Sequence, residues 1–240
     1  MNVTHNTMRQ SECAMICRYV ATLLFNDQLN QSENSIIHHV HVVGGNALAH
    51  ECTPIQILNL LGAKKLDIVY DKVRAILTRF GTIDDEAKKL FGPILVLNYG
   101  KGERMLKVEI SIREYPNHYE MRSLAGTDIR VMTMPDMFAH KLCAMGERLS
   151  PRDIFDVWFF LQNHTEINEE IVQLRTGKSV AEYAAWCAEH VREASPKLLM
   201  QGLGEVLNDA KSKTFVKNKL IDETSSALEL FSAFPIIYKE

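Results

Sequence analysis

The strongest constraint on the fold is a change of sequence pattern near Met134. Before this residue, β-branched runs at residues 37–43 and 105–113 are typical of strands. From Met137 onward, apolar residues recur at helical spacing almost to the end of the chain. This division predicts an α+β protein, with a mixed β-sheet lobe at residues 1–133 and a helical lobe at residues 134–240.

Composition and charge exclude several classes of protein. The 240 residues are 46% hydrophobic and 24% charged, which is ordinary for a globular chain with a sizeable core. The net charge of -3 gives no overall basic field, so any contact with nucleic acid requires a local patch. The five cysteines lack zinc-type spacing, and no apolar run approaches the roughly 20 residues of a membrane span. We therefore expect a cytoplasmic protein with no membrane partner.

Local patterns give a coarse order of elements. Helical periodicity predicts an N-terminal helix at residues 10–30. The runs at 66–71, 94–99 and 105–113 predict strands, and a further short strand is expected at 129–132. The glycine-rich connection at residues 100–103 favours a hairpin between the strands on either side of it.

Helix-start signals mark the second lobe. Pro135 suits the first turn of a helix, and Ser150 followed by Pro151 is typical of an N-cap and first helical position. Ser195 and Pro196 repeat that signature and predict another helix start.

The first candidate for chemistry is the turn Gly44-Gly45-Asn46. It follows a predicted strand and opens a predicted helix, where backbone N–H groups and the helix dipole can hold a phosphate. A glycine pair also serves as an ordinary tight turn. The motif therefore depends on agreement with other motifs.

Two carboxylates form the second candidate. Asp67 lies in the predicted strand after that turn, and Glu109 lies in a later strand, where alternation puts it on the face opposite Val108 and Ile110. Carboxylates on adjacent strands beside a phosphate-holding turn are suited to Mg²⁺. The alternative is that both are solvent-facing strand residues.

The segment at residues 134–160 carries a third group of polar residues. Lys141 and Arg148, seven apart, share a face of the first predicted helix, and Arg152, Asp153 and Asp156 cluster on the second. The basic groups could stabilise the charge of a triphosphate, with Asp153 orienting a lysine or a hydroxyl. The alternative is a pair of helices joined by surface salt bridges.

Taken in order, these segments resemble the AbiEii/AbiGii-type nucleotidyltransferase toxins. The resemblance covers residues 36–162, through the sequences VVGGNAL, LDIV, LKVEI and the helices containing HKLCAMGERLSPRDIFD. It implies a polymerase-β-like nucleotidyltransferase fold that binds a nucleoside triphosphate with Mg²⁺ or Mn²⁺. The implied reaction transfers a nucleotidyl group to an RNA, in studied relatives a tRNA end, and the implied partner is a cognate antitoxin.

The resemblance also implies roles for individual residues. The carboxylates of Asp67 and Glu109 would bind the metal, and Lys141 and Asp153 would complete the catalytic set. The nucleotide-binding residues would be Gly44, Gly45, Asn46, Lys65, Arg148 and Arg152.

One departure from the family pattern bears directly on activity. Where the family shows two aspartates two residues apart, this chain has Lys65 before Asp67 or Val69 after it, so one metal ligand is missing in either register. A protonated lysine supplies charge but coordinates no metal. This leaves two alternatives to an RNA-modifying enzyme: a catalytically degenerate nucleotide-binding or regulatory member, and a nucleotidyltransferase that acts on a small molecule.

A lysine-rich segment near the C-terminus is the best local candidate for contact with RNA phosphates. It contains Lys211, Lys213, Lys217 and Lys219. A solvated helix face is the alternative explanation.

Overall fold

The computed structural model describes residues 39–42, 55–58, 63–89, 92–100, 105–111, 115–124, 127–195, 197–200, 203 and 210–239. The chain divides into two compact units. The first comprises Met1–Glu114 and Tyr119–Met132, and the second comprises Tyr115–His118 and Thr133–Glu240. The described residues contain both sheet and helix in the first unit and helices in the second, which confirms the α+β class.

The first unit contains a five-stranded mixed sheet. Its strands are β1 (His39–Val42), β2 (Ile55–Leu58), β3 (Thr82–Lys89), β4 (Gly92–Asn98) and β5 (Leu106–Ser111). They lie in the order β1-β2-β5-β4-β3, with β2 and β5 parallel and the other neighbours antiparallel. A separate antiparallel hairpin joins β6 (Tyr119–Leu124) to β7 (Thr127–Met132).

Helix α1 (Ala63–Leu77) covers one face of this sheet. Leu95 and Leu97 of β4 pair with Val108 and Leu106 of β5, and all four are almost fully buried. The helix contributes Tyr70, whose hydroxyl donates to Glu86 of β3 at 2.6 Å. Alternation along the strands places Glu86 on the same face as Leu95. The apolar face of the sheet and the helix therefore form the core of this unit.

The prediction of a strand at residues 66–71 is wrong, because the segment is part of α1. Its apolar residues recur as Leu66, Tyr70, Val73 and Leu77, and the last three of these are buried. This spacing of four, three and four residues is that of one helix face. The β-branched pair Ile68-Val69 gives the segment its strand-like composition, but the longer period determines its structure.

The other sheet predictions have mixed outcomes. The strands expected at 94–99 and 105–113 are β4 and β5, which pair antiparallel as expected, and β1 and β7 overlap the predicted strands at 37–43 and 129–132. Strands β2, β3 and β6 were not predicted. The sequence TIDDEAKK of β3 is charged because β3 is an edge strand with mostly exposed side chains. The predicted helix at residues 10–30 lies outside the described residues.

The second unit is helical where the structure describes it. Its helices are α2 (Met134–Arg148), α3 (Pro151–Gln162), α4 (Glu169–Thr176), α5 (Val180–His190), α6 (Ala210–Asn218) and α7 (Leu220–Ala233). Phe138 of α2 is fully buried between Phe160 of α3 and Phe231 of α7, with ring centroids 5.2 and 5.4 Å away. The helix start expected at Ser195 is wrong, because residues 197–200 form a turn. None of the helices described in either unit is long and apolar enough to cross a membrane.

Candidate active site

Helices α2 and α3 are joined by a connection of only two residues. Helix α2 ends at Arg148, and its C-cap residue Leu149 adopts a left-handed conformation (φ 46°, ψ 37°). The N–H of Leu149 donates to the carbonyl of Met145 at 2.9 Å. Ser150 is extended, and Pro151 opens α3 as predicted, because its fixed φ and missing N–H suit a first turn. The end of α2 and the start of α3 therefore lie side by side.

This connection brings four charged residues together in one group, the α2–α3 charge cluster of Lys141, Arg148, Asp153 and Asp156. The Nζ atom of Lys141 lies 3.1 Å from Oδ1 of Asp153 and 2.7 Å from Oδ2 of Asp156. Nε of Arg148 donates to Oδ2 of Asp153 at 2.6 Å. Asp153 thus accepts from both cations, and Lys141 spans both carboxylates.

The two aspartates of the cluster are buried, whereas Arg148 is exposed to solvent. The side chains of Asp153 and Asp156 are 1% and 5% exposed, whereas that of Arg148 is 62% exposed. A buried carboxylate requires paired or hydrogen-bonded partners. The alternative of a purely surface salt bridge is therefore wrong for Asp153 and Asp156.

Burial and charge act in opposite directions on the two aspartates. Burial alone would raise the pKa of Asp153, but the hydrogen bond from Arg148 and the charge of Lys141 outweigh it, so the pKa is lowered. Burial raises the pKa of Asp156 to about 6, against the opposing effect of Lys141. Burial would lower the pKa of Lys141, but the charges of both aspartates raise it instead. Lys141 is therefore a fixed cation at neutral pH.

Arg152 extends the cluster along α3. Arg152 is exposed, and its charge is among the influences that lower the pKa of Asp156, four residues away. Asp156 was noted in the sequence but not assigned a role in the site. Its spacing of three residues from Asp153 is the signal that identifies it, because both then lie on one face of a helix.

Asp67 does not lie on a strand of the first unit, contrary to the sequence prediction. Asp67 lies on α1, with its side chain 68% exposed and its Oδ1 atom accepting from Lys88 of β3 at 2.6 Å. Lys88 pairs with Pro93 on the face of the sheet that α1 covers. Glu109 lies on β5, where its backbone pairs with that of Ile94. The prediction that Asp67 and Glu109 lie on neighbouring strands is therefore wrong, because Asp67 lies on a helix.

The remaining predicted residues give less information. The turn at Gly44, Gly45 and Asn46 lies outside the described residues. Lys65 lies in the first turn of α1. Among the described residues, no group of three or more His, Cys, Asp or Glu side chains is arranged to hold a metal ion.

A second buried polar group, centred on Asp136, was missed by the sequence analysis. Asp136 is fully buried, accepts from the backbone N–H of His118, and accepts from Nδ2 of Asn168 at 2.7 Å. Asn168 also caps α4, because its side chain accepts from the N–H groups of Glu170 and Ile171. The partners of Asp136 lie 18 and 32 residues away, so no local pattern indicates them.

A third polar group surrounds Arg175 of α4. Its guanidinium donates to Nδ1 of His140 at 3.0 Å and to Glu147 at 2.6 Å, and it lies over the ring of Tyr115. Nε2 of His140 lies 2.8 Å from Oδ1 of Asn117. With Nδ1 accepting from Arg175, Nε2 carries the proton and donates to Asn117, which fixes the neutral tautomer of His140.

Comparison with known proteins gives one family match and several structural neighbours. The model of the family "Nucleotidyl transferase AbiEii toxin, Type IV TA system" matches residues 60–233, more than half of the chain. No curated protein shows a significant match.

Three solved structures have similar chains. A proposed nucleotidyltransferase from H. pylori is 16% identical with a TM-score of 0.47, over 92% of this chain and 93% of that one. JHP933 from Helicobacter pylori is 16% identical with a TM-score of 0.45, over 92% and 90%. An antigenic nucleotidyltransferase-like protein from Paracoccidioides brasiliensis is 13% identical with a TM-score of 0.43, over 82% and 95%.

Proposed function

The chain belongs to the AbiEii family of nucleotidyl transferase toxins of type IV toxin–antitoxin systems, and we propose that it transfers a nucleotidyl group from a nucleoside triphosphate to an RNA, with tRNA as the acceptor. The observation that supports this activity is the α2–α3 charge cluster, in which two buried aspartates hold one lysine and one accessible arginine. We further propose that the protein acts in the cytoplasm and is neutralised by a cognate antitoxin.

In the proposed reaction the acceptor hydroxyl oxygen forms a bond to the α-phosphorus of the nucleotide. The bond from that phosphorus to the bridging oxygen breaks, pyrophosphate leaves with additional negative charge, and the hydroxyl proton passes to solvent water. Preorganised cations stabilise such charge more effectively than water does. We assign this role to Arg148 and Lys141, assisted by Arg152.

Asp153 has the role of positioning residue in this proposal. It accepts from both Lys141 and Arg148, so it fixes the separation and orientation of the two cations before the nucleotide binds. Asp156 holds Lys141 from a second direction. Neither aspartate is suited to bind a metal ion while its carboxylate is paired with these cations.

The family implies a divalent metal, Mg²⁺ or Mn²⁺, and the described carboxylates do not fit one. Asp67 is bound by Lys88, and both aspartates of α3 are bound by Lys141. No step of the proposed reaction is therefore assigned to a metal. Glu109 as a metal ligand and residues 44–46 as a phosphate-binding turn remain predictions.

The experiment that tests the proposal uses each α-labelled nucleoside triphosphate, Mg²⁺ or Mn²⁺, and total tRNA. Label that the purified protein transfers to RNA is the expected result. We expect Arg148→Gln to lower transfer by about 10²-fold or more, because one donor to the developing charge is lost. The matched control is Arg192→Gln, which removes an exposed arginine paired with Glu189 and Glu229.

Two results would contradict this proposal. If the protein transfers no label to RNA with any nucleotide, the assigned activity is wrong. If Arg148→Gln and Lys141→Ala both keep full transfer, the activity stands but the assignment of the charge cluster is wrong.

A second candidate function is a nucleotide-binding regulatory protein without transferase activity. The observation that favours it is the ion pair of Asp67 with Lys88, which occupies the carboxylate expected to bind metal. Equilibrium dialysis with labelled nucleotide separates the two functions. Nucleotide binding without any transfer to RNA supports the regulatory protein, and efficient transfer excludes it.

A further inference from the structure

Helix α6 and the residue that follows it form a strongly basic surface. Residues 210–219 contain four lysines and no acidic residue. We call these lysines the basic helix face: Lys211, Lys213, Lys217 and Lys219. All four are exposed, and across the part of the chain that the structure describes none of them forms an ion pair. On a chain whose net charge is -3, this is a local positive surface and not part of an overall basic field.

Helix stability does not account for this arrangement. Lys213 and Lys217 are four residues apart, a spacing at which like charges are neighbours and destabilise a helix. The helix dipole favours a cation near the C-terminal end, where Lys217 lies, but disfavours one in the first turn, where Lys211 lies. An anionic partner would offset both unfavourable effects.

Helix α6 packs against α3, the helix that carries the two aspartates of the charge cluster. The ring of Phe215 lies 4.7 Å from that of Trp158, which is on α3 two residues after Asp156. Val216 is fully buried beside it. The inner side of α6 is therefore packed. Helical spacing places Lys213 and Lys217 on the opposite side, whereas Lys211 lies at its flank and Lys219 follows the helix. The basic helix face and the charge cluster thus share α3 as their support.

The residues between the lysines indicate the kind of anion. Asn218 is exposed among them, and amide groups commonly hydrogen-bond phosphate and sugar oxygens. The hydroxyl of Thr214 donates instead to the carbonyl of Ala210 at 2.8 Å. A helix that binds a lipid surface presents exposed apolar residues beside its cations. Here the apolar residues Phe215 and Val216 pack inward instead. The surface therefore suits a hydrated polyanion better than a membrane.

We propose that the basic helix face is the surface on which the sugar–phosphate backbone of the acceptor RNA docks. This inference rests on the proposed function for the identity of its ligand. Lysine contacts to phosphate supply affinity and orientation but carry no sequence information. The surface accordingly selects an RNA backbone and leaves the choice of acceptor nucleotide to other residues.

The test measures binding directly, without nucleotide or turnover. Fluorescence anisotropy of a labelled tRNA is recorded against protein concentration across a salt series, for the full chain and for Lys213→Gln/Lys217→Gln. We expect the double variant to bind about tenfold or more weakly at low salt. The slope of log affinity against log salt should become less steep by about two, because two phosphate contacts are lost.

The matched control is Lys178→Gln/Lys197→Gln, which removes the same charge from exposed lysines elsewhere in the helical unit. The inference is supported if the control keeps the affinity and salt slope of the unaltered chain while the α6 variant loses both. It is overturned if the two variants bind tRNA equally well.

Two other results overturn it as well. If the unaltered chain binds no tRNA, the surface is not an RNA site. If it binds vesicles containing phosphatidylserine through these lysines and not tRNA, the partner is a lipid surface. Failure of the proposed function is recognised separately, because it appears in the transfer assay, whereas this test reads binding alone.

Discussion

Lys141 lies within ion-pair distance of two buried carboxylates, so its removal leaves negative charges that burial makes unfavourable. We expect Lys141→Met to destabilise the protein by about 3 kcal/mol at neutral pH, as measured by urea unfolding. Adding Asp156→Asn to this variant should recover part of the loss, because one of the two uncompensated charges is removed.

The same substitution at an exposed ion pair provides the control. Lys88→Met removes the partner of Asp67 where both side chains are about two-thirds exposed, and it should leave stability nearly unchanged. Equal losses for Lys141→Met and Lys88→Met would show that the buried cluster has no special role in stability.

The two aspartates of α3 should give opposite pH dependences. The folded-state pKa of Asp156, about 6, lies above its ordinary value of 3.8, so its stabilising contribution is full below pH 3.8 and is lost as the pH rises through 6. The lowered pKa of Asp153 means that its contribution is present above pH 3.8 and is lost as the pH falls through the folded-state pKa.

Urea unfolding of two variants across this pH range tests the opposite signs. Asp156→Asn should gain stability relative to the unaltered protein as the pH rises from about 4 to 7. The deficit of Asp153→Asn should be largest at neutral pH and shrink in acid. Parallel pH profiles for the two variants would contradict the charge assignments.

At the scale of elements, the contact between α2 and α5 depends on a glycine. A Cβ atom added at Gly146 would overlap the hydroxyl of Tyr183 and lie 2.8 Å from Cζ3 of Trp186. Alanine normally stabilises a helix relative to glycine by about 1 kcal/mol. Here we expect Gly146→Ala to destabilise by about 1–3 kcal/mol, because the two helices would have to move apart.

A double variant distinguishes overlap from a general effect of the substitution. Tyr183→Phe removes the hydroxyl, which donates to the carbonyl of Cys143, and should make Gly146→Ala less costly in that background. Thermal unfolding of the two single variants and the double variant measures this coupling. Additive losses would show that the Tyr183 hydroxyl is not the obstacle.

Local sequence signals predict those helices and strands whose structure is determined by residues close to them in sequence. The α2–α3 pair could be predicted because Pro135, Ser150 and Pro151 act within a turn of their own positions. Only residues 66–71 of α1 are predicted as a strand, since their β-branched residues are local but the burial of the helix depends on β3 and β4. Tertiary packing against the sheet overrides β propensity there.

The same distinction applies to the candidate site. Lys141, Arg148 and Asp153 lie within thirteen consecutive residues, 141–153. Helical spacing places Lys141 and Arg148 on one face of α2, and the two-residue connection brings Asp153 beside them. Asp136 has partners at His118 and Asn168, and only the complete fold of the helical unit brings these together. The local charge cluster can therefore be predicted from the sequence, whereas the buried group around Asp136, which depends on distant contacts, cannot.

At the scale of the whole molecule, the helical unit is not continuous in sequence. Tyr115–His118 belongs to it although β6 and β7 follow. Asn117 accepts from His140, and the carbonyl of His118 accepts from the N–H of Thr133 at 3.0 Å. The predicted boundary between residues 133 and 134 assigns this four-residue segment to the sheet lobe, because so short a segment does not alter the local composition.

The end of the chain makes a similar distant contact. The N–H of Ile167 donates to the carbonyl of Ile236, and the N–H of Tyr238 donates to the carbonyl of Ile167, both at 2.9 Å. The ring of Tyr238 also lies 5.7 Å from that of His118. Ile236 and Tyr238 therefore contact both the residues before α4 and the 115–118 segment.

Removing residues 236–240 should destabilise the helical unit by about 2 kcal/mol, because two backbone hydrogen bonds are lost at about 1 kcal/mol each. Urea unfolding measures this change, and near-UV circular dichroism should show a changed environment for the aromatic rings. Removing only residues 239–240 is the control, since it keeps both hydrogen bonds to Ile167. Equal stability of the two truncated chains would mean that pairing with Ile167 contributes little, and that α4 is held by Asn168 and the helical core alone.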